Sequence, residues 1–262
     1  MPVSFLGTAV VGYLLGTLLA GIVVIYRSAL ARRVASIVFA STWLLHLAAV
    51  VTLGVQEGRF PLLNLGEFLM VLGWTVLTLH LWVWFRLRVD VAGLVLPPIA
   101  GLATVVAVPL LGGSPSVAPV PRGGLFLFHI TVSTLGVAML CVAFAMSVIY
   151  LMQDRALKSR KTLRLLERLP ALERCDRVGF QALVGGFLLL TLGIGTGVVI
   201  NAELYGRLWI ADTKQIFPLL AWMVFATIVA TRTLLGFRGK KSAYLTIAGF
   251  FLVMATIVGI AL

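Results

Sequence analysis

Charge is scarce in this chain. Asp, Glu, Lys and Arg make up 11% of its 262 residues, and 61% are hydrophobic. A soluble domain carries about 25% charged and about 45–50% apolar residues. That shortage excludes a soluble fold, because so few charges cannot clothe a water-facing surface around so much apolar side chain. Carboxylates are scarcer still, nine against 21 Lys and Arg. A proton- or ion-coupled transporter, the reading from a different function class, therefore lacks the acids and bases of an intramembrane relay, and no inverted repeat supports it. Cysteine is limited to Cys141 and Cys175 with no CxxC, which leaves thiol-redox and zinc chemistry unsupported. Walker, HExxH, GxSxG and CxxCH motifs are all missing. No nucleophile and acid–base set stands out, so independent catalytic activity is not expected.

What is abundant is the long apolar run. Segments 6–26, 34–54, 66–85, 91–112, 125–152, 180–201, 215–232 and 243–262 each approach the roughly 20 residues that a spanning helix needs. The fold class expected is an all-α integral membrane bundle of about eight transmembrane helices, forming a single polytopic domain over residues 1–262 in contact with membrane lipid. The fourth run holds Pro97, Pro98 and Pro109, which predicts a kink. The N-terminus lacks the basic stretch of a secretory signal, so 6–26 is read as a true span.

The net charge of +12 does not point to nucleic acid, because the basic residues gather in short loops between the runs. Seventeen Lys and Arg fall in alternate loops (around 27–33, 86–88, 155–177 and 232–241), against four in the others: Arg59, Arg122, Arg207 and Lys214. This asymmetry predicts the basic loops inside and both termini outside, in a bacterial cytoplasmic membrane. The inner loop about 154–179 sets Leu157, Leu163, Leu166 and Leu169 among Lys and Arg. It reads as an amphipathic surface helix, serving either as a topology anchor or as a dock for a cytosolic partner. On the other side, 55–67 and 202–214 mix apolar and polar residues like segments that dip into the interface, and 112–124 is rich in Gly and Pro.

Three histidines occur, His46, His80 and His129, all within runs. An ionisable group inside a span is costly and marks a functional candidate, and imidazole is a haem ligand. At 1.5 Å per residue, His129 lies roughly 6 Å below the outer edge, His46 roughly 12 Å and His80 roughly 21 Å. Depth therefore pairs His129 with His46 on one iron and leaves His80 to a helix-to-helix hydrogen bond or a separate site. Trp209, in an outer loop three residues before Asp212, offers a flat surface to a planar ligand. Arg59 and Arg122 are the basic residues suited to its propionates. Asn64 and Glu67 read as a cap and a dipole partner for the third span. Gly193-Ile194-Gly195-Thr196-Gly197 reads as close helix packing.

Several of these pieces share a pattern. Phe60-Pro61-Leu62-Leu63-Asn64-Leu65-Gly66-Glu67 resembles the FPLxNLxE segment of the cytochrome c assembly family, CcsA/HemX type. His129 to Ser133, with Ser147-Val148 and Tyr150-Leu151, resembles that family's outer-histidine helix. Gly206, Trp209, Asp212 and Lys214, followed by Trp222 and Thr231-Arg232, resemble a worn form of its tryptophan-rich WWD segment. The resemblance spans roughly residues 40–260. It implies an eight-span bundle that handles haem b on its outer face and presents it to apocytochrome c together with a membrane partner, the synthase-type function arising only with such partners. It implies His129 as an iron ligand and the loop of Trp209 and Asp212 as the haem contact. Departures are visible: Ala230 stands where the family has a further histidine, and no outer histidine follows the last span up to Leu262. These point to the HemX-like branch, for which the resemblance implies an alternative role: a regulator of haem biosynthesis that recruits glutamyl-tRNA reductase through the inner loop.

Overall fold

The computed structural model describes residues 2–111, 124–158, 172–208 and 213–261. Arg122, Trp209 and Asp212 lie outside them, as does the middle of the inner loop, 159–171. The described residues contain no strand, and eight helices are long and apolar enough to cross a membrane. The α-helices are α1 (Pro2–Tyr26), α2 (Ala29–Glu57), α3 (Leu65–Trp82), α4 (Leu96–Leu110), α5 (Gly124–Lys158), α6 (Leu172–Tyr205), α7 (Thr213–Leu235) and α8 (Lys240–Ala261), the third and fourth spans also taking in the turns beside them, as Leu65–Leu87 and Asp90–Leu110. Each overlaps one apolar run. The ends of the inner loop differ from the expected surface helix: 154–158 extends α5 and 172–179 opens α6.

α4 runs unbroken through the three prolines of the fourth span. Pro97 and Pro98 fall in the first turn of α4, where the backbone N–H groups have no intrahelical acceptor to lose, and Pro109 is the penultimate residue. The irregular backbone lies just before it instead. α3 ends in a π turn, Val83–Leu87, and a 3-10 turn, Asp90–Leu94, leads into α4.

Close contacts divide the chain into two units, one of residues 1–115 and 152–174 and the other of 116–151 and 175–262. In the first, small residues let helices meet at backbone distance, the usual device where lipid removes the hydrophobic drive between helices. A Cβ on Gly16 of α1 would sit 2.4 Å from the Phe39 ring of α2, and one on Gly66 of α3 would sit 2.6 Å from the Leu110 backbone of α4. Charge closes the basic-loop end of this unit. Arg32 donates to Asp90 (3.0 Å) and to the Trp84 carbonyl (2.9 Å), and the Trp84 indole donates to Ser36 (2.9 Å). A residue read only as a topology signal thus also ties α2 to the segment that follows α3.

In the second unit α6 lays glycines against α5. Gly179 faces Met146, Gly186 faces Leu140, Gly193 faces Ser133 and Gly197 faces His129. The packing role expected of the Gly193–Gly197 stretch is what the helices show. Near the other end of α7, Arg232 makes two short hydrogen bonds to Asp176 of α6 (2.6 and 2.8 Å) and stacks over Phe180. Cys141 and Cys175 are buried and form no disulfide with each other.

Candidate functional site

The segment 55–67, at the end of α2 and α3 away from the basic loops, is a closed polar knot. α2 stops at Gly58, whose left-handed backbone (φ 63°) suits a residue without Cβ, and the chain turns through Pro61 to Asn64. Asn64 caps α3 by accepting from the Glu67 amide at 2.8 Å, as its position in the sequence suggests. Glu67 does more than complement the helix dipole. It is 2% exposed and accepts from Arg59 through both nitrogens (2.8 and 2.9 Å), from the Leu63 amide (2.7 Å) and from the Asn64 side chain (2.9 Å). The hydrogen bonds from Arg59 to Glu67 hold the guanidinium above its ordinary pKa, more strongly than partial burial lowers it. Arg59, nominated for a propionate, already spends its fork on a carboxylate of its own chain.

His46 is fully enclosed in the first unit. Its Nδ1 lies 2.8 Å from the Tyr13 hydroxyl of α1, and that hydroxyl also reaches the Gly73 carbonyl of α3 at 3.4 Å. A Cβ on Gly73 would meet the ring edge at 3.3 Å. Its Nε2 makes no hydrogen bond of good geometry, although the Met70 carbonyl lies beside the ring. The ring pins α1, α2 and α3 together, and it is fully buried among them, its Nε2 included. Sequence reasoning missed Tyr13, because nothing in the spacing of residues 13 and 46 signals a pair.

Of the two roles expected of His80, a helix-to-helix hydrogen bond or a separate site, the hydrogen bond is not made among the described residues. His80 is fully buried and neither ring nitrogen has a partner. Its neighbours are aromatic, Phe39 edge-on at 4.6 Å and Trp84 at 5.7 Å between ring centres. An unmet buried polar group costs about 1–3 kcal/mol. His80→Leu is therefore expected to raise the melting temperature of the purified protein in detergent. A lower melting temperature would mean that the imidazole is serving a polar partner.

His129 is arranged differently. It stands in the second turn of α5, half-buried, and its Nδ1 lies 3.0 Å from the Gly193 carbonyl and 2.9 Å from Thr196 Oγ of α6. A carbonyl only accepts, so Nδ1 carries the proton. The Thr196 hydroxyl sends its own hydrogen to the Leu192 carbonyl (2.8 Å), which leaves its oxygen free to accept. Neutral imidazole holds one ring proton, so Nε2 is left with its lone pair, and no hydrogen bond engages it among the described residues. This is how proteins prepare a ligating histidine: the far nitrogen donates to a carbonyl and fixes tautomer and ring angle. Among the described residues no three His, Cys, Asp or Glu gather as a cage for a bare ion. An iron already held by four porphyrin nitrogens asks the protein for only one or two axial donors. The residues present fit that group on this count.

The family described as cytochrome C assembly protein matches residues 62–262. The cytochrome c biogenesis protein CcsA of Trieres chinensis is 30% identical over 79% of this chain and 76% of its own length. The protein of that name from Prochlorococcus marinus strain NATL1A is 29% identical over 79% of this chain and 75% of its own. That from Guillardia theta is 26% identical, with 85% of this chain and 81% of its own covered.

Proposed function

This chain belongs to the cytochrome c assembly protein family, and from that membership we propose that it binds b-type haem through His129 on the face away from its basic loops, for presentation during cytochrome c assembly. The observation that carries this reading is the His129 ring itself, with Nδ1 committed as a donor and Nε2 left with its lone pair. Haem bound there would supply an iron whose spin state and potential respond to axial ligand and burial. The chain's own part is to hold the imidazole at a fixed angle in a low-dielectric setting. Trp209 and Asp212 are proposed to shape the pocket and Arg122 to meet a propionate. Arg59 contributes by locking the outer segment beside α3 rather than by a free fork. Apocytochrome c and a membrane partner are the proposed recipients.

The depth argument made His46 the second axial ligand. We assign it instead to the α1–α2–α3 contact, because its ring is fully buried between those helices whereas that of His129 is only half-buried. Protein purified in detergent from haem-replete cells is expected to show a Soret band that His129→Ala removes. His46→Ala is expected to keep the band while lowering the melting temperature. A colourless wild type, or a His129→Ala protein with undiminished haem, would refute the proposal. A switch of the His46→Ala spectrum to a five-coordinate form would restore His46 as the partner ligand.

A further inference from the structure

The Gly193–Gly197 stretch is more regular than packing demands. Gly193 permits close approach at Ser133, where a Cβ would lie 2.8 Å from the hydroxyl. Gly197, one turn on, leaves the space that the His129 ring edge fills, since a Cβ there would stand 3.2 Å from Cε1. Between them Thr196 turns its oxygen to Nδ1 and its hydrogen to the Leu192 carbonyl. The Gly193 carbonyl is reachable by the imidazole only because the helices approach this closely. Any side chain at 197 presses on the ring, and any non-polar one at 196 removes an acceptor.

Resting on the haem reading above, we propose that this turn of α6 is a positioning device for His129: Thr196 and the Gly193 carbonyl lock the ring in the Nδ1–H tautomer, and Gly197 sets its angle. The device is built before any ligand arrives, since every partner belongs to the polypeptide. Thr196 is a positioning residue; it acts through the imidazole and not on the haem. Strong donation from Nδ1–H to two oxygens also makes Nε2 more basic, so the turn tunes the ligand as well as aiming it.

The test uses full-length protein in detergent, labelled with 15N-histidine and freed of haem. His129 of the wild type is expected to show a protonated Nδ1 and an unprotonated Nε2 in nitrogen NMR, assigned by its loss in His129→Ala. Thr196→Val is expected to give a mixture of tautomers, Thr196→Ser to restore the wild-type signal, and Gly197→Ala to shift it. With haemin added, Thr196→Val is expected to bind about 10–100-fold more weakly, as losing the outer partner of a metal ligand does, and Thr196→Ser to bind normally. A wild-type His129 protonated at Nε2 would overturn the positioning role, and so would a Thr196→Val protein that matches wild type in both tautomer and affinity. If no variant takes up haemin while the tautomer still follows residue 196, the haem reading fails and the lock stands.

Discussion

Glu67→Gln is expected to destabilise the protein nearly as much as Glu67→Ala does, by about 2–4 kcal/mol, a little under the range for removing one partner of a buried ion pair because Arg59 retains some access to water. The two side chains have the same shape, so the difference is chemical. Four donors converge on the Glu67 carboxylate: two from Arg59, one from the Leu63 amide and one from Asn64. An amide offers one oxygen and turns an NH2 toward donors that need an acceptor. Arg59 would then keep its charge without its main counter-charge. Thermal or denaturant unfolding in detergent measures the loss, and cleavage by added protease between residues 57 and 65 reports whether the segment opens. A Glu67→Gln protein that melts with the wild type would show that the knot is held by shape and not by charge.

The second large effect is expected at Asp176 and Arg232. Their side chains are 18% and 9% exposed, and the guanidinium is clamped between the carboxylate and the Phe180 ring, 4.0 Å from its centre. Asp176→Leu strands a cation in that apolar setting and is expected to cost about 3 kcal/mol or more. Adding Arg232→Met removes the stranded charge, and the double variant is expected to recover most of the loss, since a well-packed apolar pair often replaces a buried ion pair at little cost. Unfolding of the two single variants and the double variant measures the coupling between the sites. Strictly additive losses would show that the pair contributes nothing beyond its separate contacts.

How much of this was legible in the sequence depends on the range of the interaction. The spans were legible because a bilayer imposes a run of about 20 apolar residues whatever the neighbours do. Asn64 was legible as a cap because capping is local, three residues from donor to acceptor. The Arg59–Glu67 pair was hidden because the carboxylate is reached only after the chain has turned at Gly58 and Pro61. The setting of His46 was hidden for a related reason: depth along a helix says how far down a ring lies, but not which way it faces or that Tyr13 waits for it 33 positions earlier. His129 was legible both as an intramembrane imidazole and as part of a family pattern. Thr196 was passed over because one threonine in an apolar run carries no signal until the helix beside it is known. The prolines of the fourth span show the same limit, since the effect of proline depends on which turn of the helix receives it.

The meshing of Gly16 with the Phe39 ring has a mechanical corollary. The ring occupies the volume that a Cβ at position 16 would need, and the adjacent residues Leu15 and Thr17 both carry one. α1 therefore cannot creep along α2 by a fraction of a turn; it engages like a tooth in a gear. Its far end is fastened by a two-residue link, Arg27-Ser28, in which Arg27 takes the left-handed conformation and Ser28 caps the next helix. With sliding and slack both denied, a thicker or thinner bilayer can be met only by leaning the two helices together as one strut.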